Sequence, residues 1–201
     1  RGIGLVDNLV PHADTPVFSG TDSGGTEYGV ARGASGASNL SHQITVGDVK
    51  IGVEVHKGAG TSTSWGLQYT GIDNFTIGLG QSEIDPGLVN GGTDSETIGV
   101  KYAIGGITLA YQITEVDKGS NDEEANMYGA SFAINDDLTI SYGKQTVEIQ
   151  GTASDEINSG FSASYTMGSM SIGVYAAKTE DVNGAAANDD AGKGITLSIS
   201  F

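Results

Sequence analysis

Ile98-Gly99-Val100-Lys101-Tyr102-Ala103-Ile104-Gly105-Gly106-Ile107-Thr108-Leu109-Ala110-Tyr111-Gln112-Ile113 obeys one rule throughout. A bulky apolar or aromatic residue stands at every second position, with Gly, Lys, Ala, Thr or Gln between. A period of two is that of a strand whose successive side chains point to opposite faces. The Gly105-Gly106 pair in the middle suits a two-residue hairpin, whose favoured turns need positive φ. The stretch therefore reads as two antiparallel strands with one bulky face and one small one.

The same grammar extends in both directions. Phe75-Thr76-Ile77-Gly78-Leu79-Gly80 repeats it, as do Trp65/Leu67/Tyr69, Tyr128/Ala130/Phe132/Ile134, Leu138/Ile140/Tyr142, Phe161/Ala163/Tyr165/Met167, Met170/Ile172/Val174 and Ile195/Leu197/Ile199/Phe201. The spacing predicts about eleven strands, at 38–46, 49–57, 63–70, 75–82, 95–104, 107–116, 125–134, 138–149, 156–167, 170–180 and 193–201. Tight turns are expected at Gly47-Asp48, Gly71 to Asn74, Gly105-Gly106, Asn135 to Asp137 and Gly168-Ser169. Longer acidic loops alternate with them. Residues 1–37, with Pro11, Pro16 and many glycines, read as one long irregular loop ahead of the strands at 38–201.

Composition narrows the class. The 201 residues contain 32 Gly, 3 Pro and no Cys, which disfavours helices and excludes disulfide frameworks and thiol chemistry. No run approaches the roughly 18 apolar residues of a spanning helix. The net charge of -16 makes nucleic acid an unsuitable partner, because binding phosphate needs the opposite sign.

The distribution over the two faces decides between soluble and membrane β structure. A soluble sheet turns its bulky face to a core and carries charges on the other. Here the second face carries Gly52, Gly66, Gly78, Gly80, Gly99, Gly129, Gly143, Gly160, Gly173 and Gly194, with Thr76, Thr108, Gln112, Ser131, Ser141, Ser162, Ser164, Thr196 and Ser198. Small polar groups suit a wet lumen, and a bulky face then meets lipid. Trp65, Leu67, Phe132, Ile140, Phe161, Ile172 and Leu197 are expected to face lipid. Gly66, Ser131, Ser141, Ser162 and Thr196 are expected to face the lumen. Tyr69, Phe75, Tyr102, Phe132, Tyr165 and Phe201 sit beside the tight turns, where a ring of aromatics marks a membrane boundary. The expected fold is all-β, a transmembrane antiparallel up-and-down β-barrel.

The final run, Gly194-Ile195-Thr196-Leu197-Ser198-Ile199-Ser200-Phe201, resembles the terminal signal of bacterial outer-membrane proteins. With the alternating hairpins, residues 38–201 resemble the C-terminal portion of a general porin of Gram-negative bacteria, of alphaproteobacterial type. That resemblance implies a barrel of about sixteen strands, a homotrimer in the outer membrane beside lipopolysaccharide, and passive diffusion of ions and small hydrophilic solutes. Single-chain bacterial barrels have even strand numbers, so strands are expected to be missing ahead of residue 1. The start, Arg1-Gly2-Ile3-Gly4-Leu5, has neither the methionine nor the basic and apolar regions of a signal peptide. Counting back from the C-terminus makes the first strand the sixth of such a set. The family's loop before that strand folds inward and narrows the pore. Residues 1–37 would be this loop, with Asp7, Asp14, Asp22, Glu27, Arg1 and Arg32 as its constriction charges. Lys50, Glu54, His56 and Lys101 fall on the small-residue face and would project into the lumen, where charges tune ion preference.

Other chemistry finds little support. Thr21-Asp22-Ser23-Gly24-Gly25 resembles the surround of the chymotrypsin-like serine nucleophile but lacks its first glycine, and His12 is the only histidine upstream. His12, His42 and His56 have no metal-ligand spacing. No catalytic residue, metal site or cofactor is expected beyond a loosely held divalent cation. Such an ion could bridge the carboxylates of Asp122-Glu123-Glu124 and Asp189-Asp190 to lipopolysaccharide. The competing reading is a soluble or secreted acidic, glycine-rich β protein, an adhesin or calcium-binding solenoid. A solenoid would show a fixed short repeat, whereas these hairpins differ in length.

Overall fold

The computed structural model describes residues 6, 9–10, 38–57, 61–85 and 92–200. It contains eleven strands: β1 (Ser38–Val46), β2 (Val49–Lys57), β3 (Thr61–Ile72), β4 (Phe75–Ile84), β5 (Thr93–Ile104), β6 (Ile107–Asp117), β7 (Glu123–Ala133), β8 (Leu138–Ile149), β9 (Glu156–Met167), β10 (Met170–Glu180) and β11 (Asp190–Ile199). They form one sheet in chain order, each antiparallel to the next. β1 and β11 each pair on one side only, so the described strands make an open wall. The expected strand boundaries differ from the observed ones by at most three residues.

The turns follow from local chemistry. Gly47, Gly105 and Gly168 open two-residue hairpins with φ of 59°, 57° and 59°, a region that glycine enters without steric cost. The β3–β4 turn is tighter than the expected Gly71 to Asn74. β3 runs on to Ile72, and only Asp73 and Asn74 form the turn. A bulge makes this possible: Tyr69 pairs with Ile77 but Ile72 with Phe75, so β3 carries one extra residue there. The extra residue returns Ile72 to the bulky face. At the opposite end, the β2–β3 connection is no long acidic loop. Lys57 pairs with Thr61, which leaves only residues 58–60 between the strands.

Apart from the bulge in β3, the period-two reading of the two faces holds in the strands from β2 to β10. In β2, for example, Ile51, Val53 and Val55 are exposed while Gly52, Glu54 and His56 are buried. Phe201 lies outside the described residues, so the C-terminal aromatic is not described.

Candidate functional site

The small-residue face has three levels, which appear only when the strands are in register. Near the tight turns it carries short polar side chains, among them Ser131, Ser141, Ser162 and Thr196, together with Lys50 and Lys101. At mid-height the pairing brings glycines side by side. Gly52 pairs with Gly66 and Gly66 with Gly80; Gly78 pairs with Gly99; Gly129 pairs with Gly143 and Gly143 with Gly160. The result is a glycine belt across most of the wall. A Cβ at Gly66 would stand 2.9 Å from Cγ1 of Val6 and 3.5 Å from Cδ1 of Leu9. Gln68 donates its Nε2 to the carbonyl of Leu9 at 2.9 Å. Val6, Leu9 and Val10 are buried; Val6 and Leu9 lie against the small-residue face of β3, and Val10 packs with Val6.

From Gln112, which pairs with Gly99 of the belt, toward the long connections the face is packed. Gln112, Met127 and Gln145 share a row and are at most 1% exposed. Val116, Ala125, Met127 and Val147 form an apolar cluster beside them. Hydroxyl pairs fill the neighbouring wall, with Ser82 and Ser95 oxygens at 2.7 Å and Thr97 and Thr114 oxygens at 2.7 Å. The expectation of small polar groups over the whole face is thus corrected at this level. Apolar residues occupy alternate positions there too and pack on the same side.

The expected lumen charges separate into two pairs. Lys50 and Lys101 lie toward the tight turns, and Lys101 is exposed. Glu54 and His56 stand next to each other on this face of β2, and both are buried rather than solvent-exposed. His56 Nε2 lies 3.0 Å from Glu54 Oε1, close enough for an ion pair but off the line of a hydrogen bond; Nε2 makes none. Arg1, Asp7, Asp14, Asp22, Glu27 and Arg32 lie outside the described residues, as does Ser23.

A second carboxylate on this face escaped the sequence reading. Glu156, at the loop end of β9, is 5% exposed. Its Oε1 accepts the side-chain amide of Asn158 at 2.8 Å and its Oε2 the backbone N–H of Asn183 at 2.7 Å. Asn158 also donates to Gln145 at 3.0 Å and accepts from Thr179 at 2.6 Å. One polar network thereby crosses β8, β9 and β10 and ends on the connection between β10 and β11.

The bulky face is a mirror image in chemistry. Ile98, Leu109, Phe161, Ile172 and Leu197 are each between 38% and 60% exposed, an apolar surface of the kind that marks a membrane or protein interaction site. Besides the aromatics beside the tight turns, Trp65, Tyr111, Tyr128, Tyr142 and Phe161 stand on this face, Tyr111 paired with Tyr128 and Tyr142 with Phe161. Trp65 Nε1 donates to Gln81 at 2.9 Å, and Gln81 donates on to Glu96 at 2.9 Å. Tyr111 likewise donates to Asn126 at 3.0 Å, which donates to Glu124 at 2.8 Å. Both chains of bonds end on one line, where Glu96 pairs with Glu115, Glu115 with Glu124, and Glu124 with Glu148. Four glutamates thus stand shoulder to shoulder on four strands. Beside them an open cleft of about 530 Å³ is lined by Glu115, Glu124 and Glu148 and by Asp117, Asp122, Glu123 and Asp155. Among the described residues no three carboxylates or histidines converge as metal ligands. Lys118 is paired with Glu123.

Comparison with solved structures gives the wall its architecture. The chain is similar to an anion-selective porin from Comamonas acidovorans, with TM-score 0.69 and 13% identity over 81% of this chain and 59% of that one. A Rhodopseudomonas blastica porin triple mutant matches with TM-score 0.61 and 11% identity over 81% and 55%. OmpT, an outer membrane protein of Vibrio cholerae, matches with TM-score 0.59 and 12% identity over 81% and 64%. The chain therefore has the fold of a porin-type β-barrel wall and spans about three fifths of the length of such chains. No family model matches it, and no curated protein matches it.

Proposed function

We propose that this chain forms the larger part of a water-filled pore in the bacterial outer membrane, through which ions and small hydrophilic solutes diffuse passively. The height of its apolar band carries this reading. Eight positions along β7 separate Phe132, on the rung of Ile107, from Glu124, on the rung of Glu115. At ~3.4 Å per residue that is about 27 Å along the strand, or about 21 Å along the membrane normal at ~40° tilt, close to the ~25 Å band of outer-membrane barrels. Aromatic rings line the tight-turn edge of the band, and carboxylates begin at its other edge.

No covalent step is needed, and selection falls to the width and charge of the passage. Residues 1–37 act as the inward-folding constriction, supported by Val6 and Leu9 lying against Gly66. The carboxylates of Asp7, Asp14, Asp22 and Glu27 give a cation preference, opposed by Arg1, Arg32, Lys50 and Lys101. The preference is thus the reverse of that named for the Comamonas porin. The complete protein is a homotrimer. The glutamate row lies at headgroup height, where divalent cations would bridge it to the phosphates of lipopolysaccharide. The test is reconstitution of the full-length protein in planar bilayers, with fractionation of the producing cells. Stepwise ohmic conductance and recovery in the outer membrane are expected; a water-soluble, detergent-independent protein without conductance would overturn the proposal.

A further inference from the structure

We infer that the connection between β10 and β11, residues 181–189, is a second narrowing element at the pore mouth and that Glu156 is the positioning residue that latches it there. This rests on the pore reading above but on different residues from the proposed constriction. The connection joins β10 to β11, yet its middle does not stay above them. The N–H of Asn183 reaches back to the Glu156 carboxylate on β9, and Gly184 comes up against Thr152 in the β8–β9 connection. Glu156 points to the small-residue face, the same side as Asn158 and Gly160. A backbone group that binds it must therefore lie on the lumen side of the wall, not the lipid side. Val182 and Gly184 are buried by that position.

The conformation of the segment argues that it is held and not merely tethered. Asp181, Asn183 and Ala187 have φ of 51°, 55° and 62°, values that cost free energy for residues with a Cβ and persist where surrounding contacts fix them. The fixing contacts are explicit. Asp181 accepts the N–H of Ala187 at 2.6 Å, Val182 N–H donates to the Asn188 carbonyl at 2.8 Å, and Gly184 N–H donates to the Asp181 carbonyl at 2.8 Å. A compact unit results, joined to the wall by Val182 packing and one bond to a buried carboxylate. That carboxylate is itself braced by Asn158 and through it by Gln145 and Thr179. Residues 182–188 carry no charge, with Ala185, Ala186 and Ala187 exposed, and the exposed Asp189 that follows them stands 3.7 Å from Lys178 Nζ. The bulk of 182–188 should therefore limit conductance more than it alters ion preference.

The full-length protein is compared in planar bilayers with Glu156→Gln, with Asn183→Gly, and with a variant in which 182–188 is replaced by a two-residue turn. Shortening the segment should raise single-channel conductance roughly 1.5-fold, since passage scales with the width of the bore, with little shift in reversal potential. Glu156→Gln should raise it less and add flicker. Asn183→Gly, which keeps the N–H and favours the same φ, should behave as wild type. In the shortened background Glu156→Gln should have no further effect. Unchanged conductance in both the shortened and Glu156→Gln channels would overturn the inference. Should the wild type form no channel at all, the pore reading falls, and the latch is still read by a broad-specificity protease. Glu156→Gln should then speed cleavage within 181–189, and an unchanged rate would refute the latch.

Discussion

Glu115 and Glu124 face each other directly across the β6–β7 ladder, on the side of the wall that also carries Tyr111 and Phe132. Like charges placed directly opposite destabilise a sheet, and Glu96 and Glu148 extend the row on both sides. Converting Glu115 and Glu124 to Gln should stabilise the barrel in EDTA and abolish most of the stabilisation that millimolar calcium gives the wild type. Thermal loss of the folded band on unheated gels measures both. Equal calcium response in variant and wild type would remove the row from lipopolysaccharide bridging.

Gly66 is one position where the described residues Val6 and Leu9 touch the wall. Gly66→Val would drive a side chain into Val6 and Leu9, an overpacking that costs typically about 1–3 kcal/mol. The expected outcome is a lower unfolding temperature and altered conductance, while Gly143→Ala, on the same belt, has a smaller effect on both. Conductance insensitive to Gly66→Val would show that Val6 and Leu9 do not belong to the constriction.

Neutralising Asp7, Asp14, Asp22 and Glu27 together to Asn or Gln should lower cation selectivity in reversal-potential measurements. The change should be greatest in dilute salt, where screening lengthens from about 8 Å to about 30 Å. Unchanged selectivity and conductance would make residues 1–37 an external loop.

Cysteines introduced at Trp65, Phe132, Phe161 or Leu197 should react with a membrane-phase label, and those at Ser131, Ser162 or Thr196 with a water-soluble one. A slip of one residue would exchange the sets within a strand. Cross-linking of the complete protein in mild detergent should give trimers; monomers alone would count against that assembly.

The faces were legible in the sequence because they depend only on alternation, and Ile51/Gly52 or Phe161/Gly160 need no partner strand to be read. Height was not legible. Glu96, Glu115, Glu124 and Glu148 are scattered along the chain and meet only after each turn length has fixed its register. The bulge between Tyr69 and Ile72 shows how one extra residue changes that sum. Burial of Glu54 and His56 was missed for a related reason: alternation assigns a side, not what packs on it. The reach of Asn183 to Glu156 spans two strands of the wall, a relation no local pattern encodes. Tyr111 and Tyr128 were visible as residues but not as neighbours until β6 and β7 were paired.

The apolar band also sets which membrane the protein can enter without strain. Its height of about 21 Å, estimated from strand rise and tilt, is several ångströms short of the ~30 Å hydrocarbon core of an average bilayer. Each ångström of hydrophobic mismatch costs a fraction of a kcal/mol, and the bacterial outer membrane is thinner than average. Bilayer thickness thus becomes an address: the wall should insert readily into short-chain lipid and reluctantly into long-chain lipid.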